Sequence, residues 1–183
     1  MKRFLLTIIC VVAVIFAYAE GHMTFKGIEI DGDLPSFVAK LEAQGFIKQS
    51  IGEDYATMTG SFTAEDVKLY IHATPISKTV YGVSVIYKPQ DSWPHQESHY
   101  RNLAKSLKTK YGEPVEDVWD VSELVPISSL KEGYSTAQMG FRCDNGGVGI
   151  SIEKTLHYDV STRIFYWDKE NDAKNKAEVE SDL

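Results

Sequence analysis

The feature that most restricts this chain is a period of two in side-chain polarity, which recurs along most of its length. Ala56, Met58, Gly60 and Phe62 alternate with Tyr55, Thr57, Thr59 and Ser61. Val67, Leu69 and Ile71 alternate with Lys68, Tyr70 and His72, and Tyr81, Val83, Val85 and Tyr87 with Val80, Gly82, Ser84 and Ile86. Ala137, Met139, Phe141 and Cys143 repeat the pattern. After Asp144-Asn145-Gly146-Gly147 it resumes at Val148, Ile150 and Ile152. Side chains on a strand point to opposite faces in turn, so alternation of this kind describes a sheet buried on one side only. The short spacings between the runs suit antiparallel hairpins, and the Asp-Asn-Gly-Gly stretch is the strongest turn signal in the chain. Further strands are predicted over Met23–Ile30, Val115–Trp119, Ser135–Cys143, Val148–Thr155 and Tyr158–Trp167.

Two segments break this period. Asp33 is a good helix N-cap, Pro35 suits the first turn, and Phe37, Val38 and Leu41 share a helical face. Gly45 stands where a left-handed residue closes a helix, which would bring Leu41 and Phe46 together. A helix is therefore predicted over Leu34–Gln44. A second follows Asp91-Ser92, with Pro94 in its first turn and an apolar stripe at Tyr100, Leu103, Ala104, Leu107 and Tyr111. Gly112 and Pro114 end it.

One face of an antiparallel sheet is then available for two amphipathic helices to cover. The expected class is α+β, with an antiparallel sheet and two main helices on one face. The order is helix, about four strands, helix, about four strands. Val38-Ala39-Lys40-Leu41 and Leu103-Ala104-Lys105-Ser106-Leu107 are loosely alike, which suggests a duplicated αβ4 unit with halves at 20–90 and 91–167. Residues 168–183 are charged and almost free of apolar side chains. They read as a tail, either a solvated helix or a frayed end.

Lys2 and Arg3 precede the apolar run Phe4–Phe16, and Ala17-Tyr18-Ala19 places small residues where a signal peptidase cuts. The uncharged stretch is shorter than the roughly 20 residues needed to span a bilayer. Residues 1–19 are expected to be a cleaved secretory signal. The protein is then exported to the periplasm or beyond, with no stable membrane anchor. Cys10 lacks the small residues of a lipoprotein site before it. Cleavage leaves Cys143 as the only thiol, so no internal disulfide supports the domain and its core must. With 26 acidic against 19 basic residues and a formal charge of −7, broad electrostatic binding to nucleic acid or anionic lipid is disfavoured. An apolar fraction of 43% is ample for a packed core.

The chemistry-bearing residues have simpler explanations. His95 and His99 stand four apart on the second helix, able in principle to grip one metal ion, with His72 or His157 as distant additions. The order His-Gln-Glu-Ser-His is not a zincin motif, and no third ligand follows from spacing. No metal or other cofactor is assigned. Cys143 lies in the inward register beside Met139 and Phe141, where a buried structural thiol is the default. Asp31 and Asp33 have a turn and a cap to serve. Glu116 and Asp117 are adjacent in sequence, which does not set two carboxyls across a cleft as glycoside hydrolysis requires. Glu53-Asp54 and Glu65-Asp66 fall at expected turns. There is no calcium loop of the Asp-x-Asp-x-Asp-Gly kind, and Gly146-Gly147 lacks the lysine and helix of a phosphate loop. No catalytic residue is assigned.

Aromatics are more informative. Tyr70 and His72 share the face opposite Val67, Leu69 and Ile71. If helices cover one side, these two, with Tyr81 and Tyr87, are candidates for contact with a partner, because rings give area at small entropic cost.

The stretch from His22 to Gly32 (His-Met-Thr-Phe-Lys-Gly-Ile-Glu-Ile-Asp-Gly), then Phe37, Leu41 and Gly45-Phe46, and later Leu103, Leu107, Tyr111, Gly112 and Pro114, resembles a group of short exported proteins of uncharacterised function from Bacteroides-type Gram-negative bacteria. At fold level alone, the αβ4 pattern is similar to β-lactamase inhibitory protein and to small outer-membrane assembly lipoproteins. Those units put helices on one sheet face and bind proteins with the other. The resemblance implies a non-catalytic binding module for a protein or cell-envelope partner. A hydrolase of envelope or dietary polymers and a structural accessory are the alternatives.

Overall fold

The computed structural model describes residues 21–155 and 159–181. The predicted signal, His157, and the predicted strand start at Tyr158 lie outside the described residues. Within them the class is α+β, as the alternation requires. An eight-stranded antiparallel sheet runs β3 (Ile47–Ile51), β4 (Tyr55–Phe62), β5 (Glu65–Ala73), β6 (Val80–Tyr87), β10 (Val160–Asp168), β9 (Gly146–Lys154), β8 (Thr136–Cys143) and β7 (Glu116–Asp120). Each half is thus a helix followed by a four-stranded meander: α1 (Leu34–Glu42) before β3–β6, and α2 (Trp93–Tyr111) before β7–β10. The two last strands, β6 and β10, pair antiparallel at the centre, with Ile164 opposite Val85. The two halves are topologically equivalent, the arrangement expected of a duplicated αβ4 unit.

Register assigns the faces. Val67, Leu69 and Ile71 pair with Tyr87, Val85 and Val83, and Val85 and Val83 with Ile164 and Tyr166. All are buried, and they form one core with Phe37, Val38 and Leu41 of α1 and Tyr100, Leu103 and Leu107 of α2. α1 packs mainly on β3, β4 and β5 and α2 mainly on β8, β9 and β10, with His99 of α2 reaching across to Tyr87 and Glu65. The α1 ending forms as its residues dictate. Gly45 is left-handed (φ 91°), the Gly45 amide donates to Glu42 O at 2.9 Å, and the Phe46 amide donates to Leu41 O at 3.2 Å. Phe46 then lies where a Cβ on Gly60 would come within 2.4 Å of its ring, so Gly60 is a packing glycine.

Local structure departs from the sequence reading in several places. Met23–Ile30 is a hairpin rather than one strand. β1 (Thr24–Phe25) and β2 (Ile28–Glu29) are joined by Lys26 and Gly27, both at positive φ (51° and 77°), the signature of a tight primed turn. Glu65 and Asp66 begin β5 rather than forming a turn; the turn is Thr63-Ala64, again at positive φ. The Asp144-Asn145 hairpin forms, but neither residue has positive φ. Its glycines serve close packing instead: a Cβ on Gly146 would meet Trp167 O at 2.0 Å, and one on Gly147 the indole of Trp167 at 2.2 Å. Between β7 and β8 lies a short helix, α3 (Pro126–Lys131), and β3 stands at the sheet edge. Both are additions to the predicted elements.

Of the two states open to the charged carboxy-terminal segment, the helix is the one adopted: α4 (Lys169–Ser181). It carries no apolar stripe, and polar contacts dock it. Asn171 Nδ2 donates to Ile30 O and to Asp31 Oδ1, both at 3.0 Å. The Glu178 carboxylate accepts the amides of Ile76 (2.8 Å) and Ser77 (3.0 Å). Desolvation opposes its ionisation, but these bonds and those of the Ser77 and Thr74 side chains outweigh it and hold its pKa down at about 2.

Candidate binding face

The face of the sheet turned away from the core carries a shallow groove of about 1240 Å³. Its floor includes Thr59, Lys68, Tyr70, His72, Ser84 and Ile86, and Arg163 borders it. None of its lining residues, among those described, belongs to a helix. The same alternation that buries one face places these side chains on the other.

The floor is organised by one polar network. Ser84 Oγ accepts from Arg163 Nε (3.1 Å) and Nη2 (2.8 Å). With its acceptor capacity used by two charge-assisted bonds, its own proton goes to His72 Nε2 at 2.9 Å. His72 therefore carries its proton on Nδ1. Arg163 Nη1 meets Glu153 Oε2 at 3.0 Å, and Ser151 Oγ donates to Glu153 Oε1 at 2.6 Å. Burial, and then the Arg163 charge, push His72 down to about 4. Aromatic rings continue the network along the sheet. His72 lies edge-on to Phe165 (5.8 Å) and 5.9 Å from Tyr81, and Phe165 stacks on Trp167 at 5.8 Å. The Arg163 guanidinium covers Phe165 at 5.0 Å, and Lys68 Nζ sits over Tyr70 at 4.8 Å. Gly82 and Gly147 make room for the rings, since a Cβ on either would enter Phe165 or Trp167.

Of the predicted partner-binding residues, Tyr70 and His72 line the groove, and Tyr81 lies beside it with its ring 5.9 Å from His72. Tyr81 is there because of a bulge: His72 pairs with Gly82 and Ala73 with Val80, leaving Tyr81 unpaired between them and its ring against His72. Tyr87 borders the groove, but with its side chain almost wholly buried. It is 1% exposed, faces the helices edge-on to His99 at 4.9 Å, and its hydroxyl meets Thr63 Oγ1. Burial raises its pKa to about 12. A ring so enclosed offers little contact area. Arg163, Ser84 and Ile86 of the groove, and Phe165 beside His72, are not among the predicted residues. Alternation along 160–167, which separates Arg163, Phe165 and Trp167 from Thr162, Ile164 and Tyr166, was the signal that could find them.

Ser84 and His72 have the spacing of a nucleophile and base, but Ser84 is 1% exposed and its lone pairs are held by Arg163. His95 and His99 do not converge. His95 Nδ1 bonds the exposed Asp91 at 2.6 Å. His99 lies between Thr162 Oγ1 (3.1 Å at Nδ1) and Glu65 Oε2 (3.1 Å at Nε2), so both its ring nitrogens are engaged. Among the described residues no three His, Cys, Asp or Glu side chains are placed to hold a metal ion. Asp33 caps α1 through the Ser36 amide, and Glu116 accepts from Gln138 Nε2. Cys143 is half-buried, its thiol raised by burial and then by Asp144. No helix among the described residues is long and apolar enough to cross a membrane.

The depressed His72 gives an acid-side signature. Its folded pKa of about 4 lies below the ordinary 6.5. The stability it confers is fully present above pH 6.5 and is lost as pH falls through 6.5 towards 4. The His72 ring resonances are expected to titrate near pH 4. Arg163→Met removes the nearby charge and moves the midpoint upward; an ordinary midpoint in the unmodified protein would contradict the buried network.

No family model, no curated protein and no solved structure matches this chain.

Proposed function

We propose that this is an exported, non-catalytic binding module whose open sheet face receives a segment of a partner protein. The observation that carries the reading is the groove: strand-built, bordered by charge, and opposite a face that two helices seal. Small-molecule pockets run roughly 300–1,000 Å³ and enclose most of their ligand. A larger, open groove fits a polypeptide surface better. Its rings and Ile86 supply contact area, and the network beneath fixes them before binding, so little conformational entropy is lost. Locked hydroxyls and imidazoles are poor chemistry but good scaffolding. Export is supported by Lys2-Arg3, the apolar run after them, and Ala17-Tyr18-Ala19.

The test starts with capture from cell-envelope extracts on immobilised protein. The captured protein is then purified and its affinity measured by calorimetry. Tyr70→Ala and Ile86→Ser are each expected to weaken binding about tenfold. Glu42→Ala, on exposed α1 surface, leaves it unchanged. Affinity indifferent to both groove variants, or chemical turnover of the captured partner, would overturn the reading.

A further inference from the structure

The two αβ4 halves differ at one conspicuous place. In the first, β3 and β4 are joined by residues 52–54; in the second, β7 and β8 are joined by residues 121–135. Since the shorter link closes the same hairpin, the fold does not need the longer one. The longer link is nevertheless well ordered by its own side chains. The Ser122 amide donates to Ser135 Oγ at 3.1 Å, Ser135 Oγ donates to Ser129 Oγ at 2.8 Å, and Ser129 Oγ to Pro126 O at 2.9 Å. Leu130 is turned inward and Ile127 packs against the core.

This order holds apolar residues in water. Leu124 is 93% exposed and Tyr134 83%, higher than any other exposed large apolar residue among those described; Val125 adds 56%. They stand on the two arms of one loop, on either side of the Ser122–Ser135 bond. Single exposed apolar residues need no explanation. Three of them on a self-closed insertion, beside inward-facing Ile127 and Leu130, mark a surface. The loop's own charge is mainly acidic, while on the β7 side Lys108 of α2 pairs with Asp117 at 3.3 Å and Arg101 covers Trp119 at 4.1 Å. From β7 to the end of the loop the acids are Glu116, Asp117, Asp120, Glu123 and Glu132, all exposed, and the only base, Lys131, is turned to Asp159 at 4.0 Å. Among the described residues, no strand pairs with the outer edge of β7.

We infer that the loop 121–135 is a second docking element, which inserts Leu124, Val125 and Tyr134 into an apolar cleft of a partner protein whose rim is basic. Lysines and arginines around that cleft face Asp120, Glu123 and Glu132. A second copy of this chain is a poor occupant, because the groove on its open face is bordered by Asp66 and Glu153 as well as by cations. The surface is separate from the groove residues and stands whether or not the groove binds anything.

Capture alone proves nothing here; the measurement is on the purified captured protein, by calorimetry with the full chain. Leu124→Ser and Tyr134→Ser are each expected to weaken binding tenfold or more, and Glu123→Lys with Glu132→Lys to do the same. Raising salt from about 50 to 500 mM weakens the unmodified complex about tenfold, as screened opposite charges require. Because all four positions are exposed, unfolding midpoints stay unchanged. If only the groove variants Tyr70→Ala and Ile86→Ser reduce affinity, the loop inference fails while the groove reading stands. If only the loop variants do, the groove reading fails instead. Binding indifferent to salt and to charge reversal, or loss of self-association on Tyr134→Ser, overturns the basic-rimmed partner.

Discussion

Phe25→Ala is expected to lower the unfolding free energy by about 3–5 kcal/mol, the range for removing a large buried ring. Phe25 is 1% exposed. Its ring stacks on Phe62 at 5.5 Å, tilts against Tyr166 at 5.2 Å, and lies 6.5 Å from Phe46. Those three come from the far end of β4, from the central strand β10 and from the loop after α1. One ring therefore joins elements of both halves. The β1–β2 hairpin has only two residues in each strand, far too few to persist alone, so its seat in the core is this side chain with Ile28 and Ile30. Against a typical stability of about 5–15 kcal/mol the loss is a large share. Urea unfolding followed by tryptophan fluorescence should show a lower midpoint at unchanged slope. Tyr134→Ala, on the exposed loop, should stay within about 0.5 kcal/mol. A Phe25→Ala effect below about 1 kcal/mol would mean that the hairpin is not seated as described.

How much of this was legible in the chain depends on what held each element in place. Where burial of one face decides, as in β4, β5, β8 and β9, alternation reads directly as structure. Where capping decides, as at Asp33 and Gly45, single residues suffice. Strand β3 is exposed along its whole length and has no alternation to read. Helix α4 has no apolar face, because its contacts are polar and reach back to Ile30, Asp31 and the Ile76–Ser77 amides, more than 90 positions away in each case. No local pattern encodes such contacts.

The candidate face shows the same division. Period two assigns Tyr70 and His72 correctly, but it also ties Tyr81 to Tyr87, since they lie six apart on one strand. The bulge at Tyr81 severs that tie, sending Tyr81 to His72 and leaving Tyr87 in the core. Bulges depend on the partner strand, which a single run of residues does not reveal. The Gly146-Gly147 pair was legible as a turn for a reason that does not apply. The turn precedes it, and the glycines are there because the Trp167 strand and indole press on them.

Asp168→Ala should cost about 3–5 kcal/mol, the other large loss this structure leads us to expect. The carboxylate is 2% exposed and accepts three bonds, two from the adjacent His22 and Met23 and one from Asn171. The Met23 amide donates to Oδ2 at 2.8 Å, the Asn171 amide to Oδ1 at 2.9 Å, and His22 Nδ1 lies 3.1 Å from Oδ2. Truncation leaves two buried amides without acceptors, and Asn171, whose own side chain reaches Ile30 and Asp31, loses its anchor. Asp168→Asn keeps one acceptor but turns an amide donor towards a second donor, so about half the loss is expected. Lys176→Ala breaks only an exposed pair with Asp172 and should change little. Burial disfavours the charged form of His22, but the bond and charge of Asp168 outweigh it and raise its pKa above 6.5. Its contribution is fully present below 6.5 and is lost as pH rises through the raised value, so the Asp168→Ala penalty should be larger at pH 6 than at pH 9. Hydrogen exchange separates the contributions. The variant should release protection in α4 and at Met23 first, while β5 and β6 keep theirs. Uniform loss across the sheet, or a penalty that grows with pH, would show that Asp168 does not act through these three bonds.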